Sequence, residues 1–98
     1  MYLYNVTIIA ENELGDTVKQ CIDAQLFDQP DGSPAVSLLE MLDSPHEGTT
    51  YCIQLRVENS DDIPLFQQRH IRILRELLAE RYPGRVLFFD SIMKYLND

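Results

Sequence analysis

Tryptophan is absent from the sequence, and its 98 residues include only two cysteines, four glycines and five prolines. Two thiols as far apart as Cys21 and Cys52 cannot build a disulfide framework or a zinc ribbon. Long apolar runs are missing too, since no stretch approaches the ~20 residues that a membrane-spanning helix needs. The N-terminus shows no basic n-region, apolar h-region or small-residue cleavage site, so no secretory leader is expected. There is no Gly-rich phosphate loop, Cys–His pair or nucleophile elbow, so neither a cofactor nor nucleophilic catalysis is expected. His46 and His70 stand on different elements with no carboxylate at ligand spacing, which leaves a metal site unsupported. Together these absences place the expected compartment in the reducing cytoplasm.

Basic charge is scarce as well. Eight Lys and Arg face sixteen Asp and Glu, a net charge of −8. Bulk attraction to nucleic acid or to an anionic membrane is therefore not expected. The imbalance is uneven: residues 1–68 hold twelve acids against two bases, Lys19 and Arg56, for a net of −10. Residues 69–98 hold six bases against four acids, for a net of +2. Such blocks can mean complementary packing within the fold and across a symmetric dimer, or a basic docking face.

What is present suits one globular domain. The apolar share is 45% and the charged share 24%, ordinary for a folded chain. A chain this long has one core and buries roughly 60–70% of its unfolded surface without metal or disulfide staples.

Residues 2–10 are β-rich with two partly apolar faces, Tyr2, Tyr4, Val6 and Ile8 on one side, Leu3, Asn5, Thr7 and Ile9 on the other. That is the pattern of a central strand. Asn12 is placed to cap a helix whose stripe is Leu14, Val18, Cys21, Ile22 and Gln25. A turn-rich loop from Asp28 to Pro34 ends it. Residues 35–42 and 49–58 read as a hairpin, with Tyr51, Ile53, Leu55 and Val57 on one face and Cys52, Gln54, Arg56 and Glu58 on the other. Ser60-Asp61-Asp62 opens a long helix with Ile63, Phe66, His70, Ile71, Leu74, Leu77, Leu78 and Tyr82 on one face. Pro83-Gly84 stops it, and residues 85–96 supply a last strand.

The order βαββαβ, with right-handed crossovers, predicts a ferredoxin-like α+β fold. Its four-stranded antiparallel sheet runs 4-1-3-2, with both helices on one face. The helices take the more apolar faces, leaving Leu3, Asn5, Thr7, Ile9, Cys52, Gln54, Arg56 and Glu58 on a bare face. Half-apolar faces are seldom left to water, and a second copy placed by two-fold symmetry would make a dimeric α/β barrel. Cys21 and Cys52 then lie on opposite sides of the sheet, so two free thiols are expected.

Asn5-Val6-Thr7 matches the N-glycosylation pattern, but in a central strand that spacing simply puts both polar residues on one face. There they neighbour Gln54 and Arg56. Asn5, Thr7, Gln54 and Arg56 are thus the candidate site. They form either a polar network satisfied across the sheet or dimer, or a cleft in which Arg56 meets a carboxylate.

Tyr4-Asn5-Val6-Thr7, Thr50-Tyr51-Cys52-Ile53-Gln54 and Phe89-Asp90-Ser91-Ile92-Met93 resemble the small bacterial proteins grouped as domain of unknown function (DUF) 4286. The likeness spans nearly the whole chain, although the first helix lacks the tryptophans expected of the family. The resemblance implies a ferredoxin-like, dimeric α/β-barrel domain from a Bacteroidetes-type bacterium, and no activity. Three functional readings remain open. The first is a homodimeric binding or interaction module without catalysis. The second is an enzyme like the cofactor-independent oxygenases and isomerases of dimeric α/β barrels, using His70 or Asn5 with Arg56. The third is an ACT-like small-molecule sensor, although Ala10-Glu11-Asn12 lacks the glycine usual in the first strand-to-helix turn.

Overall fold

The computed structural model describes residues 1–28, 35–45 and 47–97. His46, and all of the turn-rich loop except Asp28, lie outside the described residues. Four strands form one antiparallel sheet in the order β2-β3-β1-β4, which is the 4-1-3-2 arrangement read from its other edge. They are β1 (Tyr2–Ala10), β2 (Val36–Met41), β3 (Thr49–Val57) and β4 (Val86–Lys94). The helices α1 (Gly15–Leu26), α2 (Asp62–Phe66) and α3 (Arg72–Arg81) complete the ferredoxin-like α+β fold.

Alternation decides which face the helices take. Tyr4, Val6 and Ile8 of β1 and Tyr51, Ile53 and Leu55 of β3 are buried against Val18, Ile22 and Leu26 of α1. Ile63 and Phe66 of α2 and Leu74 and Leu78 of α3 complete that layer. Each such aliphatic side chain contributes about 1.5–3 kcal/mol by leaving water, so this one layer supplies most of the driving force. The stripe on α1 ends on Leu26, with Cys21 and Gln25 half-buried at its margins. Gln25 reaches the Arg69 carbonyl at 3.4 Å and His70 Nδ1 at 3.5 Å, tying α1 to the second helical segment.

Two local expectations are corrected. Asn12 does not cap α1, because residues Asn12–Leu14 form a 3₁₀ turn and the α-helix starts only at Gly15. The Glu11 carbonyl accepts the Leu14 N–H at 2.8 Å, and Asn12 Oδ1 instead accepts the Thr49 hydroxyl at 3.4 Å. The long second helix is also not one continuous α-helix. A π turn, Gln67–Ile71, joins α2 to α3. Its wide turn has a simple origin in the apolar spacing. Phe66 and Ile71 are five residues apart, a step that an α-helix would carry off the apolar face; one extra residue per turn brings Ile71 inward. Ile71 is buried, and His70 is only half-buried beside Phe66.

Gly48, at the entry to β3, has φ +105°, and a Cβ there would lie 2.3 Å from the Ala10 carbonyl oxygen. Arg85 fastens the other connections by donating from Nε to Glu11 at 2.7 Å and from its η nitrogen to Glu13. These contacts hold the turn before α1 against the turn before β4.

Candidate functional site

The strand registers determine what the uncovered face presents. Asn5 stands opposite Gln54 on β3 and Ser91 on β4, and Gln54 stands opposite Ser37 on β2. A polar row therefore crosses all four strands. On one side lies the row Leu39, Cys52, Thr7 and Phe89, and beyond it Met41, Thr50, Ile9 and Leu87. On the other side Arg56, Leu3 and Met93 align. Ile9 and Thr50 are buried, whereas Leu39, Leu87, Phe89 and Met93 are about half exposed. Arg56 is the one charged residue among these paired positions, in a chain whose charged share is 24%.

Three of the four candidate residues are brought together. Gln54 Nε2 donates to Asn5 Oδ1 at 3.2 Å, and Asn5 Nδ2 donates to Thr7 Oγ1 at 3.1 Å. Thr7 Oγ1 lies 3.9 Å from Cys52 Sγ, so the chain of polar contacts ends on a thiol. Arg56 is not part of it. Its guanidinium sits 5.1 Å over the Tyr95 ring, a cation–π contact at the end of the face. A shallow depression of about 270 Å³ lies nearby, lined by Leu3, Met93, Lys94, Tyr95 and Leu96. The amides thus orient one another, and the arginine packs against an aromatic ring.

A second polar cluster lies on the helix side, where sequence reading gave no sign of it. Tyr4 faces the core, yet its hydroxyl donates to Asp90 Oδ2 at 2.7 Å. Burial, then the bond to the Asp90 carboxylate, pushes the Tyr4 hydroxyl up to about 12. Gln67, from the π turn, opposes part of that rise. A cavity of about 250 Å³ beside it is lined by Tyr4, Gln67, Ile71, Arg72, Arg75, Glu76 and Asp90. Two arginines and two acids offset one another there, and Arg75 lies 5.3 Å over the Phe88 ring. A phenol held protonated to high pH is a hydrogen-bond donor and no general base. Only the π turn and the β1–β4 register bring Gln67, Tyr4 and Asp90 together, which is why no local motif announces them.

The remaining candidates are dispersed. Cys21 and Cys52 are both free thiols, on the helix side and the open side respectively. Among the described residues no group of three or more His, Cys, Asp or Glu is placed to hold a metal ion. No helix among them is long and apolar enough to cross a membrane.

A family model described as domain of unknown function (DUF4286) matches residues 1–96. No curated protein matches the chain. Among solved structures, a de novo designed protein with a ferredoxin fold is similar at a TM-score of 0.55 and 16% identity, over 99% of this chain and 88% of that one. A crystal structure from Thermus thermophilus, of a signaling protein named only as PII-like, matches at a TM-score of 0.46 and 20% identity. That match covers 95% of this chain and 87% of the other.

Proposed function

This chain belongs to the DUF4286 family, and from that premise we propose that it is a cytoplasmic, non-catalytic interaction module that works as a homodimer through its open sheet face. The carrying observation is the composition of that face, where Arg56 is the one charge among rows of half-exposed Leu39, Leu87, Phe89 and Met93. A chain with this many acids has ample charge to coat a solvated surface, and Asp16, Asp23, Asp62, Glu76 and Glu80 stand on the helices instead. Apolar surface of this extent, rimmed by polar groups, is characteristic of interaction sites. A second copy fits because a two-fold axis lays like rows against like, and an almost uncharged face meets no repulsion from itself. The Asn5–Gln54 pair already satisfies one group on each amide, so its burial costs less than that of unpaired amides.

Sedimentation equilibrium tests this reading. Leu39→Glu, midway along the edge strand β2 of that face, puts two new charges into the interface of each dimer. It is expected to halve the mass of the wild-type assembly at tens of micromolar while the melting temperature of the subunit stays near that of the wild type. An unchanged mass would overturn the proposal.

A further inference from the structure

The edge strand β4 carries a second self-complementary surface, distinct from the open face. It runs nine residues without bulge, proline or glycine, and its pairing with β1 is continuous from Val86 to Lys94. Among the described residues no strand lies beside its outer edge. From Phe89 to the end of the strand every residue is exposed, including Ile92 at 57% and, just past the strand, Leu96 at 93%. Natural sheets usually blunt such edges with short strands, bulges, proline or inward-pointing charge. Apart from Asp90 and Lys94, this strand uses none of these devices.

The hydrogen-bond parity of β4 is settled by its two ends. The Tyr95 N–H donates to the Met1 carbonyl, and the Glu11 N–H donates to the Arg85 carbonyl. Odd-numbered residues of this strand therefore direct their backbone groups toward β1. The even-numbered ones, Asp90, Ile92 and Lys94 among them, direct theirs outward. An antiparallel two-fold partner must pair even residues with even residues, and an axis on odd Ser91 or Met93 does so only by facing Asp90 and Lys94 with apolar residues. Centring the axis on Asp90 sets two carboxylates opposite each other, and centring it on Lys94 does the same with two ammonium groups. Centring it on Ile92 sets Asp90 opposite the second copy's Lys94 twice. The same register puts Phe89 opposite Tyr95 and Phe88 opposite Leu96, and it stacks Ile92 on its own copy. Opposite charges and aromatic pairs at directly facing positions are the units that stabilise a sheet.

We propose that β4 pairs antiparallel with β4 of a second copy, with the two-fold axis at Ile92 and Asp90 opposite Lys94 on both sides. The axis stands perpendicular to the sheet, so the result is one eight-stranded sheet whose two open faces point the same way. This inference does not rest on the open-face dimer. If both contacts form, two such sheets pack face to face and the assembly is a tetramer of two-fold symmetric pairs.

Ile92→Pro is the decisive variant. It removes an outward N–H that makes no bond within the subunit, a place where an edge strand tolerates proline. Lys94→Glu is the second, replacing two attractions with two repulsions and weakening association by at least about tenfold. Both are measured by sedimentation equilibrium in the Leu39→Glu background, where the open face is disabled. The Leu39→Glu protein is expected to be a dimer, with the amide of Ile92 protected from hydrogen exchange. Ile92→Pro should make it a monomer with unchanged far-ultraviolet dichroism, and Lys94→Glu should shift it toward monomer. A monomeric Leu39→Glu protein with a freely exchanging Ile92 amide overturns the edge proposal, as does a dimer indifferent to both β4 changes. An assembly unaffected by Leu39→Glu but halved by Ile92→Pro supports the edge and overturns the open-face reading, so the two fail separately.

Discussion

At the scale of single residues, Tyr4 and Gly48 have consequences their sequence neighbours do not reveal. The Tyr4 hydroxyl is raised to about 12 by burial and by Asp90, against about 10 in an unfolded chain. The folded state therefore holds this proton more tightly than the unfolded state. Stability from the group is fully present below pH 10 and is lost as pH rises toward 12. Comparing wild type with Tyr4→Phe by denaturant titration across pH 9 to 12 should show wild type losing on the order of 2 kcal/mol more. Tyr51, also raised by burial and nearby acids, remains in both proteins and cancels from the comparison. Gly48 is demanded by its backbone. With φ +105° and the Ala10 carbonyl 2.3 Å from any Cβ, Gly48→Ala should cost at least about 1–3 kcal/mol. That lowers the melting temperature of a domain this size by roughly 10 °C, measurable by calorimetry. Among the candidate residues, the same-face placement of Asn5, Thr7 and Gln54 follows from a period of two. The departure of Arg56 onto Tyr95 does not, because Tyr95 reaches it only through the β1–β4 register.

At the scale of elements, the strands were legible because alternation is local, and Tyr4, Val6, Ile8, Tyr51, Ile53 and Leu55 lie on the helix-covered face as read. The second helix was legible in place but not in form. Its apolar positions Ile63, Phe66, Ile71, Leu74 and Leu78 contain one five-residue step, which a wheel drawn at 3.6 residues per turn absorbs by counting His70 as core. The structure resolves the step with the Gln67–Ile71 π turn. Deleting His70 shortens the step to four and restores α-helical spacing without moving Leu74 or Leu78 off the core. The deletion variant should therefore melt cooperatively within several degrees of wild type. Inserting an alanine after Glu76 turns Leu78 away by about 100° and should abolish the cooperative transition. Thermal melts followed by near-ultraviolet dichroism distinguish the two outcomes.

At the scale of the whole molecule, the uneven charge finds a partial explanation. Arg85 from the basic third of the chain is bound to Glu11 and Glu13 of the acidic part, so some of the asymmetry is spent inside one subunit. The two proposed contacts would divide self-association between surfaces of different chemistry, the open face nearly uncharged and the β4 edge charge-matched about Ile92. The order of elements, the faces of β1 and β3 and the ferredoxin-like topology were all determined by the sequence alone. Each rests on short-range periodicity and on handedness rules that hold for any chain. Tertiary structure alone decided the rest. The Tyr4–Asp90 bond, the stacking of Arg56 and the outward parity of Asp90, Ile92 and Lys94 all depend on the register between strands remote in sequence. Register is chosen by summed packing of the whole sheet, and no window of neighbouring residues contains it.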